Sequence, residues 1–224
     1  MNSQESEKMD AVSENAENNS AQENSSTDAK NGYPVIPGDA LIIIPVRNMV
    51  LFPGMVVPIT IAREKSLAAA QAAMRGDRQI GVVLQKDPNI ADPKLDDLYP
   101  VGTAGNILRY VATSSDAHHV VCQGEGRFRI KEILEGYPFI VARVEKIQDQ
   151  PEENAEIQAR LLQLKQKALE VLQLIPQVPQ ELSDSINGVT SASLLSDLIT
   201  GLMDLSPEEK QEILETSDLK IRLD

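Results

Sequence analysis

Two adjacent histidines, His118 and His119, and the single cysteine, Cys122, are the side chains with the clearest capacity for nucleophilic chemistry. A cysteine nucleophile needs a base within hydrogen-bond reach, a third group to orient that base, and donors for an oxyanion. Neighbouring side chains on a strand point to opposite faces, so the two histidines do not form a pair. Asp116, the nearest orienting group, falls in a Ser-Ser-Asp turn. The constellation reads as a buried thiol beside two hairpin histidines, not as a catalytic set. The carboxylate pairs Asp96/Asp97 and Glu208/Glu209 read as a solvated loop and a helix N-terminus, not as an acid/base pair. No GxxxxGK[ST] phosphate loop is present, and the glycines at 102, 105, 124 and 126 suit turns or bulges. A zinc site lacks its usual ligand spacing. The sequence thus nominates no catalytic, cofactor-binding or metal-binding residue.

A different feature stands out at residues 49–55, MVLFPGM. Pro53-Gly54 suits the centre of a type II turn, because glycine accepts the positive φ required there. Met49, Leu51, Phe52 and Met55 place large apolar side chains around that turn, where water normally reaches. Such a cluster either caps a barrel or meets partners. Methionine suits varied ligands because its side chain is flexible and polarizable. These four residues are the candidate contacts for an apolar substrate. Arg127, Arg129 and Lys131 alternate with Phe128 and Ile130 and read as the solvent-facing side of a strand.

The elements around these residues change character along the chain. Residues 41–46 (LIIIPV) form a β-branched run typical of a buried strand. Residues 55–61 form the next strand, with Pro58 marking an edge or bulge. Residues 66–74 (SLAAAQAAM) are strong helix formers, and Gly76 follows. Further strands are expected at 79–85, at 101–111 (interrupted by Gly102 and Gly105), at 119–123, at 127–133 and at 139–147. Ser114-Ser115-Asp116 marks a hairpin turn. Short strands joined by tight turns around one helix indicate a closed or partly closed β-barrel. From residue 151 the period lengthens. Ile157, Leu161, Leu164, Ala168 and Leu172 recur at helical spacing, and Pro176 and Pro179 stop that helix. Leu194, Leu195, Leu198, Ile199 and Leu202 form a second stripe. Leu161, Leu164, Leu194 and Leu198 read as intramolecular core before assembly surface. Ser206, Pro207 and Glu209 satisfy the N-cap, first-turn and capping-box positions of a third helix. Leu219 and Leu223 begin another helical repeat, which looks interrupted at Asp224.

Composition bounds the function. The chain has 224 residues and a formal net charge of -13, which disfavours general nucleic-acid binding and anionic membrane surfaces. Aromatics make up 3% with no Trp, so stacking platforms for bases are scarce. One cysteine and no span of about 20 apolar residues indicate a reduced, cytoplasmic protein without membrane association. The polar, acidic residues 1–39 read as a disordered tail, because they cannot bury enough surface to offset ordering entropy.

Several motifs in order carry a resemblance: IPVRNMVLFPGMVVPITIAREKS, QKDP at 85–88, DDLYPVGT at 96–103, GEGRFRI at 124–130 and LSPEEKQEILETSDLKIRL at 205–223. Residues 40–224 resemble the N-terminal domain of the bacterial ATP-dependent Lon protease. The resemblance implies an α+β architecture, a PUA-like β-barrel at 40–147 followed by a C-terminal α-helical bundle at 152–224. It implies recognition of unfolded or damaged proteins, association with the rest of the protease, and homo-oligomeric assembly. ATP, Mg2+ and Ser-Lys proteolysis would belong to modules that this sequence does not contain, so the chain alone is expected not to be an enzyme. It would be either a piece of the protease or a free-standing Lon-domain adaptor or regulator. A PUA-like RNA binder is a third class, which the acidic charge opposes.

Overall fold

The computed structural model describes residues 32–76, 79–112, 118–148, 154–175 and 180–224. The chain divides into Met1–Val35 and one compact unit, Ile36–Asp224. The expected tail at 1–39 therefore lies mostly outside the described residues. So do the Ser114–Asp116 turn, Pro176 and Pro179.

The compact unit opens with β1 (Ala40–Val46), β2 (Val56–Ile61), helix α1 (Glu64–Arg75) and β3 (Gln79–Leu84). β1 and β3 run parallel, with Ile43 opposite Gly81 and Val46 opposite Leu84. A parallel pair needs a crossover, and β2 with α1 supplies it. β4 (Val101–Ala112), β5 (His118–Leu134) and β6 (Val141–Lys146) then pair antiparallel. The strand order is β2-β5-β4-β3-β1-β6, and β6 also pairs with β5. The pairings β5-β4-β3-β1-β6-β5 thus form a ring, and β2 hangs on β5 alone as an edge strand.

Two sequence expectations change here. The runs at 119–123 and 127–133 are one 17-residue strand, β5. Residues 101–111 are likewise continuous within β4, which absorbs its irregularity as register shifts at Ala104/Gly105 and Ile107/Arg109. Glycine here serves packing, not termination. A Cβ on Gly102 would lie 2.6 Å from the Val82 carbonyl oxygen and 3.0 Å from Phe128 Cζ. The omission of that carbon lets Phe128 fill the sheet core with Ile43, Val83, Leu98 and Ala142.

The second half carries α2 (Ala155–Leu174), α3 (Gln180–Gly188), α4 (Ala192–Leu202), α5 (Pro207–Glu215) and α6 (Leu219–Arg222). The result is a mixed sheet with six helices among the described residues. The side chain of Asn154 caps α2 by accepting from Glu156 N, and Ser206 with Glu209 forms the expected capping box on α5. Ile157, Leu161, Ile186, Leu195 and Leu219 share one apolar cluster, with Leu164, Ala168, Leu172 and Leu198 against it. Leu194 is not in that cluster: it is partly exposed, with Cδ1 against Gly54 in the turn before β2. No described helix is long and apolar enough to cross a membrane.

Candidate functional site

The catalytic alternative is resolved by direction. Cys122 lies opposite Val57 on β2 and Ile107 on β4 and has no exposed surface. His119 is three residues away, hence on the other face of β5, where Nδ1 lies 3.2 Å from Thr60 Oγ1. His118 pairs instead with Tyr110, Nδ1 to Oη at 2.7 Å, with the rings stacked. Burial first, and the charge of Glu125 second, push the Cys122 thiol up to about 12. It stays protonated and a poor nucleophile. Alkylation by iodoacetamide at pH 8 is expected to run at least about a hundredfold slower in the folded chain than in urea. Comparable rates in the two states would show that the thiol is accessible.

The carboxylate pairs are structural. Asp97 accepts from Lys94 N at 2.8 Å in a short 3-10 turn, Leu95–Asp97. Glu209 accepts from the Ser206 amide at 2.8 Å, which with the Ser206 hydroxyl holds its carboxyl below the usual range. Among the described residues no group of three His, Cys, Asp or Glu side chains could hold a metal ion.

The structure separates the four apolar turn residues. The turn itself forms as expected: Met55 N donates to Phe52 O at 3.3 Å, and Gly54 has φ +80. Leu51 and Phe52, however, do not meet water. They are 2% and 0% exposed. Phe52 packs with Val101 and Leu214, and the Thr103 hydroxyl donates to Leu51 O. Met55 is half-buried, packed against the same cluster. Its sulfur occupies the space that a Cβ on Gly201 would need. Gly54 does the same for α4: a Cβ there would come within 2.3 Å of Leu194 Cδ1. The turn is therefore the seat of the α4–α5 segment on the sheet. An aromatic is drawn into that seam because apolar area is available on both sides.

A buried ion pair closes the same seam. Arg127 Nη1 and Nη2 donate to the Asp197 carboxylate at 2.9 and 2.5 Å, and Arg127 Nε donates to Leu214 O at 3.0 Å. Arg222 Nη1 approaches Asp197 at 3.3 Å, and its Nη2 donates to Ser193 Oγ at 2.9 Å. Arg127 thus departs from the expected solvent-facing strip, while Arg129 and Lys131 are exposed. Alternation along a strand identifies two faces, but not that a helix covers one end of the second.

Met49 goes elsewhere, to a groove of about 500 Å³ between the end of β1 and β2. Its lining includes Pro45, Arg47, Met49, Pro58, Thr60 and Arg63. Gly124 N donates to Met55 O, so residues 55, 57, 59 and 61 turn their backbone groups to β5, and Val56, Pro58 and Thr60 turn theirs outward. On β1, Val46 O accepts from Gln85 N while Ile43 N donates to Ile140 O. Alternation then turns Pro45 away from β3. A proline, which lacks an N–H, thus stands on each bordering strand. Proline at these positions keeps two edges from zipping together. Arg63 is anchored from behind: Nη2 donates to Gln85 Oε1 at 2.6 Å, while Gln85 Nε2 donates to Ile90 O at 2.8 Å. Gln85 had drawn no functional reading from the sequence, because its role depends on a loop closing around it.

Known proteins share the sequence and the fold of this chain. Residues 40–224 match the profile of the ATP-dependent protease La (LON) substrate-binding domain. The chain is 47% identical over 195 residues to the Lon protease of Phenylobacterium zucineum, covering 87% of this chain and 24% of that protein. It is 42% identical over 214 residues to that of Paraburkholderia phytofirmans, covering 95% of this chain and 27% of that protein. It therefore spans about a quarter of the length of these relatives. The N-terminal domain of Mycobacterium avium complex Lon protease superposes with TM-score 0.68 at 27% identity, over 82% of this chain and 94% of that one. The Lon N-terminal domain protein from Xanthomonas campestris shares the fold at TM-score 0.57 and 16% identity, over the same shares of the two chains. On the profile match and these identities, the chain belongs to the family of Lon protease substrate-binding domains.

Proposed function

We propose that this chain is the client-recognition region of an ATP-dependent serine protease of the Lon family, and that segments of unfolded or damaged proteins lie in the groove between β1 and β2. The supporting observation is the groove itself, in which proline-bearing strand edges flank a lining of mixed polarity, with Met49 and Pro58 beside Arg47, Asn48 and Thr60. A segment without its own structure offers both backbone groups and apolar side chains to such a surface. Met55, half-buried at the seam, is a second point of contact. Leu51 and Phe52 serve by holding the turn. In this reading residues 40–147 act as a PUA-like barrel, and residues 152–224 act as a helical domain leading toward an ATPase module that binds ATP and Mg2+. Cytoplasmic quality control by a homo-oligomeric ring is the corresponding setting.

Met49→Asp is expected to weaken binding of a fluorescently labelled, permanently unfolded protein by at least about fivefold in anisotropy titrations. The matched control is Leu202→Asp, an exposed position on α4 outside the groove. Equal losses in both variants, or none in Met49→Asp with native circular dichroism, would place client binding elsewhere.

A further inference from the structure

The groove is basic although the chain as a whole is acidic. The protein carries 34 Asp and Glu against 21 Lys and Arg, yet the residues lining this groove include Arg47 and Arg63 and no acid. Arg47 is exposed, and no hydrogen bond or ion pair engages its guanidinium among the described residues. Arg63 is committed through one nitrogen only, Nη2, to Gln85 Oε1 and more distantly to Ile90 O. The carboxylate that acts on it, Asp92, is engaged by Lys65 at 2.6 Å.

These two cations also affect each other. Partial burial, and next the charge of Arg47, lower the pKa of Arg63, with Asp92 acting in opposition. Two guanidiniums held near one another beside an apolar wall gain most from an anion placed between them. Their planar forks match a carboxylate in geometry as well as charge.

Resting on the client-binding reading above, we infer that the groove takes an extended apolar peptide segment bearing an acidic side chain, with the carboxylate seated between Arg47 and Arg63 and an apolar neighbour against Met49. A peptide fits better than single-stranded RNA. No aromatic side chain lines the groove to stack a base, and the protein's net negative charge repels a polyanion at long range. A single carboxylate needs only the local pair, because screening confines the wider field to about 8 Å at physiological salt. The local charge sorts clients: an apolar segment flanked by an acid is held more tightly, and one flanked by lysine is repelled.

The test uses the full chain and three fluorescein-labelled peptides that alternate Leu and Thr around one central residue, Glu, Gln or Lys. The Glu peptide is expected to bind about five to ten times more tightly than the Gln peptide at low salt, with the Lys peptide weakest. Arg47→Gln, an exposed change checked by circular dichroism, is expected to erase the Glu-over-Gln preference, with the Glu peptide falling to the affinity of the Gln peptide. Equal binding of the Glu and Gln peptides by the unaltered chain would overturn the inference while leaving the client-binding reading intact. A preference that survives Arg47→Gln would overturn it too. Loss of binding to all three peptides and to an unfolded protein would overturn both. Tighter binding of a single-stranded oligoribonucleotide than of the Glu peptide, lost in Arg47→Gln, would replace the peptide with RNA.

Discussion

Asp197→Ala is expected to lower the unfolding free energy by about 3–5 kcal/mol, because it strips the carboxylate from between two buried guanidiniums. Asp197 is 0% exposed and faces Arg127 from β5 and Arg222 from α6. Arg127 is 4% exposed and cannot recover its hydration without opening the seam. Urea titrations followed by circular dichroism will read the loss as a shift in midpoint. Asp197→Asn, which keeps the shape and removes the charge, should lose a similar amount. A loss under about 1 kcal/mol in both variants would put this pair in the class of exposed surface bridges and contradict its burial. The loss should also concentrate in the helices. Amide exchange in α4 and α5 is expected to accelerate before that in β1 and β3, since the ion pair joins helix to sheet while the sheet core rests on Phe128 and its neighbours.

Phe52→Ala is the second large effect, expected at about 3–5 kcal/mol. Its ring is 0% exposed between Val101 and Leu214, so truncation leaves a void that a turn cannot collapse to fill. The turn is pinned by Gly54 at φ +80 and by the Gly54 N to Gly124 O bond of 2.9 Å. Differential scanning calorimetry and urea midpoints will measure it. Restoration of bulk by Phe52→Leu should recover more than half of the loss, whereas a loss under about 1 kcal/mol for Phe52→Ala would mean the ring is not in the core. The result bears on function. A client-binding defect in Phe52→Ala would report the detached seam, and the groove must be probed through Met49 and Arg47 instead.

Much of this molecule was legible as sequence. LIIIPV read as a covered strand because the run is short, apolar and rich in β-branched residues. Pro53-Gly54 had to turn, and Ser206 to Glu209 had to cap a helix, because those residues satisfy local backbone demands that do not depend on the rest of the fold. The helical stripe from Ile157 to Leu172 is equally local in its periodicity. The continuous β5 was harder to see. Gly124 and Gly126 resemble a break until the close backbone of Phe52 shows why a side chain is missing at 124.

What residues do across the chain was not legible. Arg127 and Arg129 are the same residue two positions apart on one strand, yet Asp197, 70 residues from Arg127, makes one a buried partner and leaves the other in water. The same distance in sequence separates Met49 on the groove from Leu51 in the core. By itself the sequence determined most of the strands and helices, the α5 cap and the family, because propensity, turn chemistry and periodicity act over a few residues; it gave no sign of α3 and divided β5 in two. Only the tertiary structure decided which face of the 49–55 turn meets solvent and which cations lie free to meet a ligand. Burial and charge pairing are long-range quantities, set by the helix that lands on a strand and not by the strand's own residues.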